Sequence, residues 1–200
     1  MPFTAKSGKF NASINAVEFG TGDKAVKIGG ENVFPLYSFD AAIENAPKVG
    51  IEITDFGMEH EPECIKKYYE GCATLADMAR KAASMEGVDF LSFRMEGGDP
   101  NGANKSTEEL IGELKEIADA VDLPLVVCGC KNVEKDAELF SKAAEALNGK
   151  NAVILSAKEE NYKTVGAAAG LAYKQVVGAE SAVDINLAKQ LNVLISQLGV

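Results

Sequence analysis

VDFLSFRMEGGDPNGANKSTEELIGELKEIADAVDLPLVVCGC, residues 88–130, decides the fold. It opens on a short apolar run, Val88 to Phe93, passes through a loop rich in Gly, Asp and Asn, and then turns helical. Ser106 and Glu109 form a capping box, in which each side chain satisfies a backbone N–H at the helix start. Leu110, Ile111, Leu114, Ile117, Ala118 and Val121 fall on one face of the helix that follows. The helix runs to Val121, and Leu125 to Cys128 is a second apolar run. Short apolar runs rich in β-branched or aromatic residues are what strands buried on both faces require. The segment is one complete β-α-β unit.

The pattern extends in both directions. Val49 to Thr54 precedes it, and Ala152 to Leu155 and Gln175 to Val177 follow, each run leading into a helical stretch. Cys72, Leu75, Ala76, Ala79, Ala82 and Ala83 give a small-residue helical face, and Leu139, Phe140, Ala143, Ala144 and Leu147 another. Val165 to Ala172 is rich in Ala and Gly, which permits close approach to a sheet. From Asp184 a last helix presents Leu187, Ala188, Leu191, Leu194, Ile195 and Leu198. Five consecutive β-then-α units imply a parallel sheet with right-handed crossovers. A (β/α)8 barrel and an open doubly wound sheet both satisfy that pattern. No G-x-G-x-x-G follows the first strand, so the dinucleotide-binding form lacks its signature. Residues 1–48 form a separate N-terminal segment, and residues 49–200 carry the β/α units. Within the first segment AVKIGG and NVFPLY flank the Gly29-Gly30-Glu31-Asn32 turn and read as a β-hairpin, placed to plug the bottom of a barrel.

Composition narrows the function classes. The 200 residues include 46% hydrophobic and 25% charged, as in a soluble globular domain. The net charge of −10 argues against nucleic acid and against an anionic membrane surface. No apolar run approaches the roughly 18 residues that span a bilayer. The lysines of MPFTAKSGKF have no apolar stretch behind them and do not make a secretory signal, so the expected location is the cytoplasm. The single histidine, His60, excludes multi-histidine metal sites and argues against a Ser-His-Asp triad.

The opening MPFTAKSGKFNASINAVEFGTGDKAVKIGGENVFPLYSFD, the PKVGIEITD strand and the closing DINLAKQLNVLISQLG helix resemble the small subunit of the corrinoid iron-sulfur protein. That family is also called the delta subunit of the CO dehydrogenase/acetyl-CoA synthase complex. The resemblance runs from Met1 to Val200 and implies the barrel, of which this chain is read as the N-terminal two-thirds. It further implies a heterodimer with a large subunit that carries the [4Fe–4S] cluster and a corrinoid-binding domain. The corrinoid would lie between that domain and the barrel. It would take a methyl group from methyltetrahydrofolate through a separate methyltransferase and deliver it to acetyl-CoA synthase, in anaerobic acetyl-CoA formation. This chain would be a non-catalytic wall of the cofactor site. A free-standing pterin-binding methyltransferase barrel is the alternative.

Ligand sites on α/β barrels are built from loops at the C-terminal ends of strands. Asp55 follows the first strand, Arg94, Glu96, Asp99 and Asn101 the second, Ser156 with Lys158 the fourth, and Ser181 with Glu180 the fifth. Together Asp55, Arg94, Glu96, Asp99, Asn101, Ser156 and Ser181 are the candidate corrinoid-binding residues. The plainer alternatives are an Asp-Pro-Asn-Gly turn at 99–102 and a helix cap from Ser181 or Asp184. Cys64, Cys72, Cys128 and Cys130 lack the spacing of iron–sulfur ligands and are read as reduced thiols, so no cluster is expected in this chain. His60 sits among Glu59, Glu61 and Glu63 without the D-x-H-x-x-G motif of corrinoid-ligating proteins, and is read as a solvated loop residue.

Overall fold

The computed structural model describes residues 11–32 and 43–200. Five parallel strands, β3 (Gly50–Thr54), β4 (Phe90–Arg94), β5 (Leu125–Cys128), β6 (Val153–Ala157) and β7 (Val176–Ala179), lie side by side in chain order. The five runs named from the sequence are these strands, displaced at their ends by at most two residues. The order never reverses, so the sheet has no switch point of the kind a doubly wound fold needs. With right-handed crossovers, a sheet that always steps the same way puts every helix on one face. The contacts agree. α2 (Leu75–Ala83) packs on α3 (Thr107–Ala120), α3 on α4 (Val133–Ala146), α4 on α5 (Tyr162–Val165), and α5 on α6 (Ile185–Gln197). A short helix, α1 (Glu63–Tyr68), precedes α2, and α5 runs into a π-helical stretch, Gly166–Ala172.

Strand alternation divides the side chains accordingly. Ile53, Leu91, Phe93, Leu125, Val127 and Ile154 meet the helices in the main core. Leu110, Leu114 and Ile117 of α3, and Leu139, Phe140 and Ala143 of α4, are fully buried against them. These are the residues that the helical periodicity singles out. Ser106 caps α3 by accepting the Glu109 N–H at 3.1 Å, which is half of the expected capping box; the reciprocal bond to the Glu109 side chain does not form, and the complete box is at Thr74 and Asp77 of α2.

The opposite face carries a smaller cluster of Val126 and Cys128, with Phe90, Val153, Leu155 and Val176 packed against it. An antiparallel hairpin covers its lower end. β1 (Val17–Phe19) pairs with β2 (Val26–Ile28), and Phe19 and Val26 are buried in the same cluster. The Phe19 ring meets Phe90 edge-on, with centroids 5.8 Å apart. Gly20 N–H donates to the Asn151 carbonyl at 2.7 Å, and Asn151 donates back to the Glu18 carbonyl at 3.1 Å. A Cβ on Gly20 would come within 2.4 Å of Pro124, so only glycine lets the hairpin approach this closely. Pro124 and Asn151 precede β5 and β6, so the hairpin does lie at the N-terminal edge of the sheet. One of its arms is the expected one. AVKIGG supplies one strand, but its partner is the upstream VEF segment. NVFPLY from residue 33 onward lies outside the described residues.

Candidate functional site

Among the described residues the hairpin leaves the upper half of that face uncovered, and there the side chains turn polar. Glu52 of β3 and Ser92 and Arg94 of β4 stand on it beside Cys128 of β5. Arg94 Nε and Nη2 each donate to one Glu52 carboxylate oxygen at 2.9 Å, a bidentate pair across neighbouring strands. The hydrogen bonds to Glu52 push the guanidinium further up, against an opposing effect of burial. Ser92 Oγ and Cys128 Sγ share a contact of 3.5 Å. Burial raises the Cys128 thiol, and Ser92 and Arg94 only partly offset this. Cys128 is therefore a neutral thiol at neutral pH.

A cavity of about 630 Å³ opens where β4 to β7 end. It is lined by Arg94, Cys128, Gly129, Lys131, Asp136, Leu155, Ser156, Lys158, Ala179, Glu180 and Ser181. Ser156 sits at a β-bulge, where Leu155 pairs with Gly178 and Ala157 with Ala179, leaving one extra residue on β6. Its hydroxyl donates to Glu180, and Lys158 Nζ lies 3.8 Å from the same carboxylate. Asp136, buried in the first turn of α4, accepts the Cys130 N–H at 2.7 Å. Burial raises its carboxyl, against the lowering effect of Cys130 and Lys158. A Cβ on Gly129 would fall 2.2 Å from Asp136 Oδ1, so the β5–α4 loop can run past this carboxylate only as glycine.

Of the seven candidate residues, the cavity gathers Arg94, Ser156 and Ser181. The other four are placed elsewhere. The Asp55 side chain is wholly covered. Its two oxygens accept the Gly97 N–H at 2.9 and 3.1 Å, and Lys105 Nζ lies 3.0 Å from Oδ2. Lys105 also donates to the Asp55 carbonyl at 2.9 Å and to Glu113 at 3.2 Å, and stands over the Phe56 ring. Asp55 thus ties the end of β3 to the β4–α3 loop. Glu96 is exposed in a 3₁₀ turn, Glu96–Gly98. Asp99 Oδ1 accepts from the Asn101 backbone and side-chain amides at 2.9 and 3.2 Å, which is the local turn that the Asp-Pro-Asn-Gly sequence also allowed. Asp184 caps α6, accepting from Asn186 and Leu187.

Sequence reading passed over Lys131 and Asp136. Lys131 was findable, because it stands in the loop after the third strand, where the rule applied to the other strands also holds. Asp136 had no sequence signal that separates it from other helix-start acids. His60 is exposed, its ring 4.8 Å from Phe56. Cys64 is exposed, while Cys128 and Cys130 are buried, Cys130 in the main core and Cys128 on the opposite face. No group of three or more metal-ligating side chains forms among the described residues. Among those residues no helix is long and apolar enough to cross a membrane.

Among the described residues this is a singly wound parallel α/β layer, with a hairpin at the N-terminal edge of its strands and a polar cavity at the C-terminal edge. Sequence comparison supplies the family. Residues 16–200 match the family described as CO dehydrogenase/acetyl-CoA synthase delta subunit, and the chain belongs to that family. Similar proteins include the acetyl-CoA decarbonylase/synthase complex subunit delta of Methanothermobacter thermautotrophicus, 31% identical over 92% of this chain and 47% of its own length. The subunit of the same description in Methanocaldococcus jannaschii is 30% identical over 96% of this chain and 49% of its own. That of Archaeoglobus fulgidus is 30% identical over 86% and 38%. The chain thus spans about half the length or less of these relatives.

Proposed function

We propose that this chain is part of the small, delta-type subunit of a corrinoid iron-sulfur protein, and forms one wall of the corrinoid site. The carrying observation is the open polar edge of a singly wound sheet in a chain that belongs to the delta-subunit family over residues 16–200. Its five strands are read as five of the eight of a (β/α)8 barrel. The sequential order and the one-sided helix layer support that reading.

The residues present fit a corrinoid's edge. Its periphery is set with neutral amides, which need both donors and acceptors. The cavity offers Ser156, Ser181, Lys158 and Glu180 beside an apolar floor of Leu155 and Ala179. At about 630 Å³ it has the size of a small-molecule pocket, so a larger macrocycle would rest an edge here and need a second wall. The large subunit is the proposed supplier of that wall, and with it of the iron–sulfur cluster. When bound, the corrinoid supplies a cobalt that carries a methyl group from methyltetrahydrofolate, by way of the methyltransferase, to acetyl-CoA synthase.

This chain's residues bind and orient rather than react. Arg94, Ser156 and Ser181 contact the ligand. Asp55 holds the neighbouring loop, and Glu96, Asp99 and Asn101 present its outer surface to the partner. Cys128, kept neutral by burial, lines the site without offering a thiolate. The proposed setting is the cytoplasm of an anaerobe.

Co-expression with a large subunit tests the reading. A 1:1 complex that carries the absorption bands of a corrinoid is expected. A chain that stays unassociated when the large subunit is loaded with corrinoid refutes it. Saturable binding of methyltetrahydrofolate by the isolated chain would favour a pterin methyltransferase instead.

A further inference from the structure

We infer that the cavity at the ends of β4 to β7 is a binding site for an anionic group, a phosphate or a carboxylate, held by Lys131 and Lys158 with Arg94 behind them. The inference stands on the cavity's own residues and does not rest on the corrinoid reading.

In the whole chain acids outnumber bases 30 to 20. In the cavity the balance inverts, with three cations, Arg94, Lys131 and Lys158, against Asp136 and Glu180. The cations come from β4 and from the segments after β5 and β6, so the fold and not a local run of sequence brings them together. Both acids are already engaged. Asp136 accepts the Cys130 N–H, and Glu180 accepts from Ser156 and lies 3.8 Å from Lys158 Nζ, a loose pair that an incoming anion would compete with. Glu52, outside the cavity, takes Nε and Nη2 of Arg94, and no hydrogen bond among the described residues takes Nη1. Lys131 forms no ion pair with any described residue.

The backbone adds an independent observation. Lys131 has φ of +72°, in the left-handed region that L side chains disfavour. The flanking residues enforce it. The Cys130 N–H is fixed to buried Asp136, and Asn132 caps α4 by accepting the Lys135 N–H at 3.0 Å. Unfavourable conformations that the surroundings over-determine concentrate at ligand sites. Here the result is a lysine brought to the cavity wall. The cavity exceeds a lone phosphate, so the anion belongs to a larger molecule. A phosphodiester inside a nucleotide-bearing cofactor and the terminal carboxylates of a small acid are the two sources.

The test is an amide NMR titration of the full chain with inorganic phosphate, with ionic strength held constant by chloride. Saturable shifts confined to 129–131, 156–158 and Ser181 are expected. Lys131→Gly, which suits the left-handed backbone, and Lys158→Met should each weaken binding about five-fold, as loss of one unit charge near 4 Å implies. Glu180→Gln should strengthen it by freeing Lys158. Parallel titrations with dimethyl phosphate and glutarate separate the two sources by which binds tighter. Shifts that do not saturate, that chloride reproduces, or that neither lysine substitution weakens overturn the inference.

Discussion

Lys105→Met keeps most of a side-chain stem and deletes one buried charge. In the folded protein the ammonium lies 3.0 Å from Asp55 Oδ2, whose side chain has no exposure, and only 19% of the lysine side chain is exposed. At that separation, and an effective dielectric near 20, the attraction is about 5–6 kcal/mol. Part of it only offsets the cost of taking the ammonium out of water. Removing one partner also leaves a covered carboxylate uncompensated, which costs about 3–5 kcal/mol. The two Gly97 N–H contacts survive and cap the loss at that range. Against a domain stability of roughly 5–15 kcal/mol, the variant is severely weakened but folded. Urea unfolding should show a large fall in midpoint with an unchanged slope. Adding Asp55→Asn removes the stranded charge, so the double variant should recover about 2 kcal/mol relative to additivity. A Lys105→Met loss under about 1 kcal/mol, or a strictly additive pair, would refute the placement of this ion pair in the interior.

The same network titrates. Burial raises the Glu113 carboxyl above its ordinary 4.5 despite Lys105, so its contribution is stabilising below 4.5 and vanishes as pH rises through its folded value. Relative to Glu113→Gln, the wild type should gain stability as pH falls toward 4.5, and parallel urea midpoints across that range would contradict this. Burial pulls the Lys105 ammonium down, but its bonds to Asp55 and Glu113 outweigh that and raise it above 10.5. Its contribution is present below 10.5 and lost as pH rises through the folded value, an alkaline loss that Lys105→Met should not show. Gly129→Ala places a Cβ 2.2 Å from Asp136 Oδ1 and should cost about 2–4 kcal/mol by forcing the carboxylate off the Cys130 N–H. An unchanged thermal midpoint would count against that packing. Brief alkylation at mildly alkaline pH, read by mass spectrometry, should label exposed Cys64 first and Cys130 last, since burial pushes the Cys130 thiol up to about 11. The reverse order would show that the thiol environments are misassigned.

The strands and long helices were legible in the sequence because their signal is local. A four-residue apolar run such as Leu125–Cys128, bounded by Pro124 and Gly129, is too short for a helix and reads as a central strand, and β5 is buried throughout. The 3.6-residue periodicity from Leu110 to Ala118 names the buried face of α3 before any neighbour is known. Extent was less legible. α4 starts at Val133, several residues ahead of the apolar stripe from Leu139, because Asn132 caps it through Lys135. The Val17–Phe19 arm of the hairpin was not read from the sequence, because its three residues carry too short an apolar pattern, and packing against Pro124 and Asn151 places it.

The site divides along the same line. The rule that ligand groups follow strand ends found Arg94, Ser156 and Ser181, since it depends only on where strands stop. It equally nominated Asp55, Asp99 and Asn101. Sequence alone could not report that Gly97 and Lys105 consume the first, and it offered the local turn that joins the other two only as one of two readings. Those contacts are either 42 or more residues apart in the chain, or depend on a loop conformation.

Sequence by itself determined the order of elements, the faces of the helices, the acidic surface and the family. Periodicity, charge and residue identity are properties of the chain read in one dimension. Tertiary structure alone decided that the strands step one way across the sheet, that three cations from separate units meet in an acidic protein, and that Asp55 is sealed while Lys131 is displayed. Each of these depends on distances between residues far apart in the chain, which packing sets and a string of letters does not contain.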